Sequence, residues 1–315
     1  MMAEAQRDDD DIIFVYMGGD QQVLGGVDRA RIHQDVKIVR SNAFPFQYRY
    51  HLISVEFHDG VEIVEEEAFK CCVSLMGGIK LRGVKIIKAH AFCDCKSITD
   101  VEFGDKLETI EQYVFSSCIG LEKIRIPSVR TIGKRAFSYC RELTDVEFGE
   151  GLMTLHEGAF CGCSKLKRIS LPLKGGMIED NVFLYCSKLE TVDLVGGIHQ
   201  TVASLHLESW RNEMTDEINR INQTLPTAYY FCKTPQIRQW MVSVINLLDH
   251  YKAEHHNILK EATTLLELAL WKANLDENEG DEVAKEQWQR ARKELRVTSG
   301  ADIVIKNVLP FLKLK

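Results

Sequence analysis

Residues 110–126 read Ile110-Glu-Gln-Tyr-Val-Phe115-Ser-Ser-Cys118-Ile-Gly-Leu121-Glu-Lys-Ile124-Arg-Ile126, and the same pattern returns every 22 or 23 residues. The phenylalanine recurs as Phe69, Phe92, Phe115, Phe137, Phe160 and Phe183. Three residues after each phenylalanine stands a cysteine: Cys72, Cys95, Cys118, Cys140, Cys163 and Cys186. A degenerate earlier copy begins near Val36, so residues 32–196 contain about seven repeats. Self-similarity with a period of this length is typical of a solenoid.

Each repeat combines two local patterns. Apolar and polar residues alternate at its end, as in Ile124-Arg125-Ile126, which predicts a half-buried strand followed by a turn. The spacing Ala-Phe-x-x-Cys-x-x-Leu predicts a short helical piece before the strand. One repeat is too small to bury its own apolar face, so successive repeats stack and their strands form a parallel sheet. The strand of the first full repeat is shifted by one residue at Gly77–Gly78. The expected fold class is therefore an α/β solenoid followed by an all-α domain.

The repeat also resembles a known family. The pattern Ile-x-x-x-Ala-Phe-x-x-Cys-x-x-Leu-x-x-Ile-x-Leu resembles the BspA-type leucine-rich repeat over residues 32–196. Over its whole length, including Phe14-Val-Tyr-Met-Gly-Gly19 and Tyr251-Lys-Ala-Glu-His-His256, the chain resembles a subfamily abundant in diatoms. The resemblance implies a leucine-rich-repeat solenoid and, by analogy only, a binding scaffold, because a fold does not determine a function. It implies no catalytic residues.

Residues 197–315 carry helical patterns and predict a C-terminal hairpin or bundle. One helix is expected over residues 201–222 and another from Thr234-Pro235, with threonine as N-cap and proline at the first position, to about Leu275. A further helical pattern covers residues 281–297. The second helix has a heptad stripe of residues spaced three and four apart: Met241, Val244, Leu248, Tyr251, His255, Ile258, Ala262, Leu265 and Ala269. This stripe is buried within a monomer, which we favour, or in a homodimer formed through residues 235–275.

Charge and composition exclude several classes of protein. The chain has 315 residues and a formal net charge of −7. Its acidity is concentrated in residues 1–31, expected to be an acidic segment and cap, where Asp8 to Asp11 form a run. A basic patch that would bind nucleic acid is missing, and so is a run of about 18 apolar residues that would span a membrane. Without a secretory signal at Met1, we expect a cytoplasmic location, with the nucleus left open.

The ten cysteines and a histidine cluster raise the question of metal binding. The pairs Cys93-x-Cys95 and Cys161-x-Cys163 lack the spacing of structural zinc sites, and the repeat explains the second cysteine of each pair as a small buried residue. His250 and Glu254 are four residues apart on one helix but lack a third ligand, so a surface pair is favoured. Because catalytic motifs are also missing, we predict no enzyme, no cofactor and no metal.

The outward positions of the strands form the candidate functional surface. We name it the strand face, and its candidate residues are Lys80, Asp100, Glu102, Lys123, Arg125, Asp145, Glu147, Arg168 and Asp193. The sign of their charge alternates from one repeat to the next. We favour the interpretation that these charges neutralise each other across neighbouring strands and so fix the strand register. The other interpretation is that they line a groove that binds a partner of mixed charge.

We therefore expect a non-enzymatic scaffold that binds an unknown protein partner and neither nucleic acid nor membrane. One alternative is a self-assembling structural module that dimerises through the long helix. The other is an enzyme whose site lies between solenoid and helices. A polar cleft would favour the enzyme, and a flat charged sheet would favour the scaffold.

Overall fold

The computed structural model describes residues 13–22, 26–41, 43–44, 49–277 and 286. In this part of the chain a parallel β-solenoid of about seven turns is followed by helices, as the repeat predicts. The predicted helix over residues 281–297 lies outside the described residues, apart from one position.

The long strands form the strand face. Its first three strands are β1 (Ile13–Tyr16), β2 (Arg29–Ile32) and β4 (Ser54–Glu56). Its other six are β6 (Gly77–Leu81), β8 (Ile98–Phe103), β10 (Lys123–Ile126), β12 (Asp145–Phe148), β14 (Arg168–Leu171) and β15 (Thr191–Leu194). They form two parallel sheets, one of β1, β2 and β4 and one of the six strands from β6 to β15, and alternate residues point into the core, as the alternation predicts. The shift expected at Gly77–Gly78 is confirmed as a register irregularity between β6 and β8. Two strands of this face, β1 and β2, begin before residue 32.

A further parallel sheet, which the sequence reading did not identify, lies along another side of the solenoid. Its strands have two residues each: β3 (Ile38–Val39), β5 (Ile63–Val64), β7 (Ile86–Ile87), β9 (Thr109–Ile110), β11 (Thr131–Ile132) and β13 (Thr154–Leu155). In each, the second residue is buried and forms one column of the core.

The segment around each phenylalanine is a series of turns, so the prediction of a short helical piece is wrong. The residues two before and two after the phenylalanine have positive φ, as at Tyr113 (57°) and Ser117 (60°), which a right-handed helix does not allow. Their backbone N–H groups donate to the next turn instead, from Tyr113 to Lys134 (2.9 Å) and from Ser117 to Ser138 (2.8 Å). The turns are thereby held by a ladder of hydrogen bonds along the solenoid axis.

The core consists of stacked like residues. Phenylalanine rings of consecutive turns lie nearly parallel, with centroids 5.1 Å apart for Phe69 and Phe92 and 5.3 Å apart for Phe92 and Phe115. The six cysteines that follow these phenylalanines are completely buried. Because each turn buries the face of its neighbour, the core is continuous along the solenoid.

The helices differ from their predicted bounds. Instead of one helix over residues 201–222, α1 (Gly197–Val202) and α2 (Glu208–Thr224) are separated by a break, in which Leu205 becomes buried. A single 3-10 turn, Leu225–Thr227, follows α2. The long helix α3 (Lys233–Glu277) starts just before the predicted cap.

The structure contains two compact units, and the boundary between them does not coincide with the change from strands to helices. Among the described residues, the first contains the solenoid up to Ser204 together with Arg211–Ile245, and the second contains Leu205–Trp210 and the part of α3 from Asn246 onward. The division at residues 196 and 197 therefore remains a prediction. None of the helices in the described residues is sufficiently long and apolar to cross a bilayer.

Candidate functional site

The strand face brings the predicted charged residues into lateral contact. Lys123 of β10 lies opposite Asp100 of β8 on one side and Asp145 of β12 on the other. Arg125 lies opposite Glu147 in the same register. Positively and negatively charged strands therefore alternate across the sheet.

The contacts show which of these charges are neutralised. The guanidinium of Arg125 lies 3.5 Å from the carboxylate of Glu147, and Arg168 forms an ion pair with Asp193. The hydrogen bond that Arg168 donates to the carboxylate of Asp193 raises the pKa of Arg168. These side chains are largely exposed, so each pair contributes about 0.2–1 kcal/mol at most.

Two lysines of the strand face form no close ion pair with another described residue. Among the described residues, Lys80 forms no ion pair, because Arg82, which sequence reasoning missed, binds the facing Glu102 at 2.7 Å. The hydrogen bond from Arg82 lowers the pKa of Glu102. Lys123 likewise forms none within the described part of the chain, and Asp145 accepts a hydrogen bond from Thr144 at 2.7 Å instead. Neutralisation of the strand face is therefore incomplete.

The six cysteines that follow the repeated phenylalanines, which we call the ladder cysteines, occupy structural positions. The thiol of Cys118 donates to the carbonyl oxygen of Phe92 in the preceding turn at 3.2 Å, and Cys140 does the same to Phe115. Burial raises the pKa of these thiols, and it raises that of Cys93 to about 12. Protonated thiols are poor nucleophiles and poor metal ligands, so these groups act in packing.

The last turn of the solenoid is closed by side chains from α2 and α3, which sequence reasoning also missed. In earlier turns the phenylalanine N–H donates to the next turn, as from Phe160 to Val182 at 3.0 Å. Phe183 donates instead to the hydroxyl oxygen of Thr234 at 2.8 Å. Thr234, predicted as a helix cap, therefore caps the solenoid.

Neighbouring side chains complete this cap. The buried ammonium of Lys233 donates to the carbonyl oxygens of Ser187 at 3.2 Å and Leu189 at 2.5 Å. Burial lowers the pKa of Lys233. The amide oxygen of Asn222 accepts the N–H of Val192 at 2.8 Å. The solenoid thus ends on polar groups that match its exposed backbone.

A cavity of about 730 Å³ lies at the carboxyl ends of β1, β2 and β4. Several of its polar side chains already have partners. Arg31 pairs with Glu56 at 2.5 Å, while the ring nitrogens of His58 contact the carbonyl of His33 at 2.9 Å and the N–H of Gly60 at 3.1 Å. These contacts build the local structure and leave few free groups for chemistry.

The histidine cluster of the second unit forms contacts of two kinds. His250 lies 3.8 Å from the carboxylate of Glu254, as the predicted surface pair. The ring of His255 stacks on that of His206 with centroids 4.3 Å apart, and burial lowers the pKa of His255. In the residues that the structure describes, no group of three His, Cys, Asp or Glu side chains could hold a metal ion.

The heptad stripe of α3 is buried only in part. Met241, Val244 and Tyr251 are buried, but Leu265 is 66% exposed. Ala262 is also buried, while Leu248 and Ile258 are half-buried, so burial within the chain is incomplete along the stripe. A homodimer through residues 235–275 stays a prediction.

Comparison with known proteins agrees with the repeat. A family model described as the BspA type leucine rich repeat region matches in six copies, over residues 27–128 and 85–209. No curated protein matches the chain.

Solved structures similar to this chain include three bacterial leucine-rich repeat proteins. The T. pallidum leucine rich repeat protein is 29% identical, with a TM-score of 0.41, over 44% of this chain and 68% of its own. A leucine rich cell surface protein from Faecalibacterium prausnitzii is 27% identical, with a TM-score of 0.33, over 53% of each chain. A leucine-rich repeat protein from Bacteroides ovatus is 30% identical, with a TM-score of 0.34, over 43% of this chain and 41% of its own. Because the family model covers more than half of the sequence, the chain belongs to the BspA-type leucine-rich repeat family.

Proposed function

We propose that the protein is a non-enzymatic scaffold that binds another protein through its strand face. The observation that carries this proposal is the incomplete neutralisation of that face. A ladder that only fixed register would join all of its charges in ion pairs, yet Lys80 and Lys123 form no ion pair within the described residues, although acidic residues lie opposite them on the neighbouring strands. A partner of mixed charge, presenting carboxylates to these two lysines, fits such a surface.

The chemistry of the strand face also favours a protein over a polyanion. Acidic strands β8 and β12 flank the basic strand β10, so no continuous positive strip is present to replace the counterions of a phosphate backbone. We place the protein in the cytoplasm or nucleus, because its buried free thiols suit a reducing compartment.

The test compares two variants that change the net charge equally. The face variant is Lys123→Glu with Arg125→Glu. The control is Lys85→Glu with Lys134→Glu, beside the short-strand sheet, where these lysines pair with Glu62 and Glu157. A partner is identified by affinity purification with the wild-type protein from its native cell, and its dissociation constant is then measured with purified proteins.

We expect the face variant to weaken binding by about tenfold or more, as for the loss of a central contact, and the control to bind as the wild type does. Equal loss in both variants, or in neither, would show that the strand face is not the binding surface. Urea unfolding of both variants separates an effect on partner binding from an effect on the stability of the sheet. Because the control also loses two ion pairs, the contribution of the strand-face charges is measured by the further loss of stability in the face variant, on the order of 1 kcal/mol and smaller at high salt.

A further inference from the structure

Four charges on the central strands of the strand face form no ion pair with any residue that the structure describes. They are Lys80 of β6, Asp100 of β8, Lys123 of β10 and Asp145 of β12. The other acidic residues of these strands are bound by arginines. Along the solenoid axis the four unpaired charges have the order positive, negative, positive, negative, so together they are neutral.

Three of these side chains lie in one row across the sheet. Lys123 lies opposite Asp100 in the register of β8 and β10, and opposite Asp145 in that of β10 and β12. The row continues to Gly78 on β6, and Lys80 lies two residues further along that strand. Lys80, Asp100 and Lys123 are exposed, while Asp145 is half-buried. The row is therefore accessible to a partner that lies flat on the sheet.

We infer that the partner of the strand face is a second copy of this chain, bound face to face about a two-fold axis. The axis runs parallel to the strands, between β8 and β10. It reverses the order of the strands in the second copy and keeps their direction, so that β8 faces β10 and β6 faces β12. Because such an interface is isologous, each contact between the copies occurs twice. This assignment rests on the proposed function, because it names the partner of the same surface.

The position of the axis follows from the alternation of charge. With the axis between β8 and β10, Asp100 of one copy faces Lys123 of the other, because both residues belong to the same row. An axis through β10 would place Lys123 against itself and Asp100 against Asp145, and like charges across an interface repel. Of the axes that lie between two strands, this one brings all four unpaired charges opposite strands of opposite sign that carry another unpaired charge.

The outer pair of unpaired charges meets in the same arrangement. Lys80 of one copy faces Glu147 on β12 of the other, and Asp145 lies two residues away on that strand, a distance of about 6.6 Å. The long, flexible side chain of Lys80 spans this distance. Gly78 faces Asp145 directly and has no side chain, so it leaves that carboxylate free for Lys80.

The flanking strands continue the complementarity. β14, which carries Arg168, faces β4, which carries Glu56. β15, which carries Asp193, faces β2, which carries Arg31. These four charges already form ion pairs within the chain, so they contribute less to the dimer. None of them is placed against a strand of like charge.

The dimensions of the strand face predict a weak dimer. Eight strands about 4.8 Å apart, most of them four residues long, cover about 34 Å by about 13 Å and would bury about 900 Å² over both copies. Stable, specific interfaces bury about 1,200–2,000 Å². The contacts are also mostly ionic, and salt screens exposed charges. The dimer should therefore form at low ionic strength and dissociate as salt is added.

The test measures self-association of the purified full chain by sedimentation velocity, at about 20 mM and about 300 mM salt. Two variants each reverse one charge of the central contact: Lys123→Asp and Asp100→Lys. In the dimer of either variant, like charges meet at both copies of this contact. In an equal mixture of the two variants, opposite charges meet again at both. The matched control is Lys134→Asp, which reverses a lysine that pairs with Glu157 beside the short-strand sheet.

We expect the wild type and the control to dimerise at low salt. Each variant alone should associate about tenfold more weakly or less, and the mixture should recover association to within about threefold of the wild type. A change in folding cannot produce this recovery, because the two chains fold separately. If either reversal prevents folding, as judged by circular dichroism, Lys123→Gln replaces both, and it should weaken association by a smaller factor, about threefold.

The second copy is not the partner if the wild type stays monomeric at about 1 mM protein in low salt, if both variants dimerise as it does, or if their mixture stays monomeric. Association that Leu265→Ser weakens and the strand-face variants leave unchanged would place the dimer on α3 instead, where Leu265 is exposed. The proposed function is decided separately, by a partner from the cell. A monomeric wild type whose captured partner is lost in Lys123→Glu with Arg125→Glu would refute the dimer and support the proposed function.

Discussion

A single turn of the solenoid depends on two residues that play different physical roles. The ring of Phe115 packs between Phe92 and Phe137, at 5.3 Å from each, and supplies the apolar surface that stacking buries. The thiol of Cys118 satisfies a backbone carbonyl inside this core while remaining small and weakly polar. The sequence predicts both roles as burial, since the period places both residues in every repeat. It cannot predict the acceptor of the thiol, because that carbonyl belongs to another turn.

The ladder thiols should make the stability of the fold depend on pH. Burial raises the pKa of Cys118 in the folded state above its value of 9.0 in the unfolded chain, so the folded state retains the proton longer. The protonated thiol therefore makes its full contribution to the free energy of unfolding below pH 9. As pH rises above 9 this contribution decreases, by up to about 1.4 kcal/mol per pH unit for one thiol. We therefore expect the stability difference between the wild type and Cys118→Ala to narrow from pH 8 to pH 11.

Urea unfolding at each pH measures this difference, and taking the difference cancels the groups common to both proteins. Thiol titration provides a second measurement. In the native protein Cys71 and Cys232, which are only half-buried, should react first, and the buried thiols should react after denaturation. If the stability difference stays constant up to pH 11, or if all thiols react in the native protein, the ladder cysteines are not buried protonated thiols.

At the scale of elements, the sequence predicts the strands that alternate over several residues and misses those that do not. Strand β10 shows the alternation over four residues, while β11 has only two, which is too short for a period to be recognised. The segment between β9 and β10 predicts a short helix, because its apolar residues have helical spacing. Positive φ at Tyr113 and Ser117 produces that spacing through turns instead. The cap was missed because its partners, Phe183 and Thr234, are 51 residues apart.

The cap yields a prediction for α3. Thr234→Val keeps the shape of the side chain but removes the acceptor of the Phe183 N–H, which is buried. An unsatisfied buried donor costs about 1–3 kcal/mol, so the variant should lose that much stability in urea unfolding. Thr264→Val is the matched control, because Thr264 is exposed on the same helix and bonds only its own backbone turn. Equal losses in the two variants would show that the bond to Phe183 contributes nothing specific.

At the scale of the whole molecule, helical residues take part in the solenoid unit. Residues 211–245 supply the cap and belong to the same compact unit as the strands, although their sequence pattern is helical. Hydrophobic periodicity reports local structure and cannot show which distant element a helix packs against. The tryptophans illustrate this. All four lie after residue 196, yet Trp240 is buried in the first unit, where its indole N–H donates to Glu217 at 3.0 Å.

Single-tryptophan variants should therefore distinguish the two units. A protein that keeps only Trp240 reports the unit of the solenoid, and one that keeps only Trp210, stacked on Tyr251 at 5.1 Å, reports the second unit. We expect the emission of Trp240 to change at the urea concentration at which the buried ladder thiols become reactive, because both report the unit of the solenoid. Trp210 should change at a lower concentration, because the described side chains of its unit include an exposed Leu265 and few that are fully buried. Coincident transitions of both tryptophans would instead show that the units unfold as one cooperative structure.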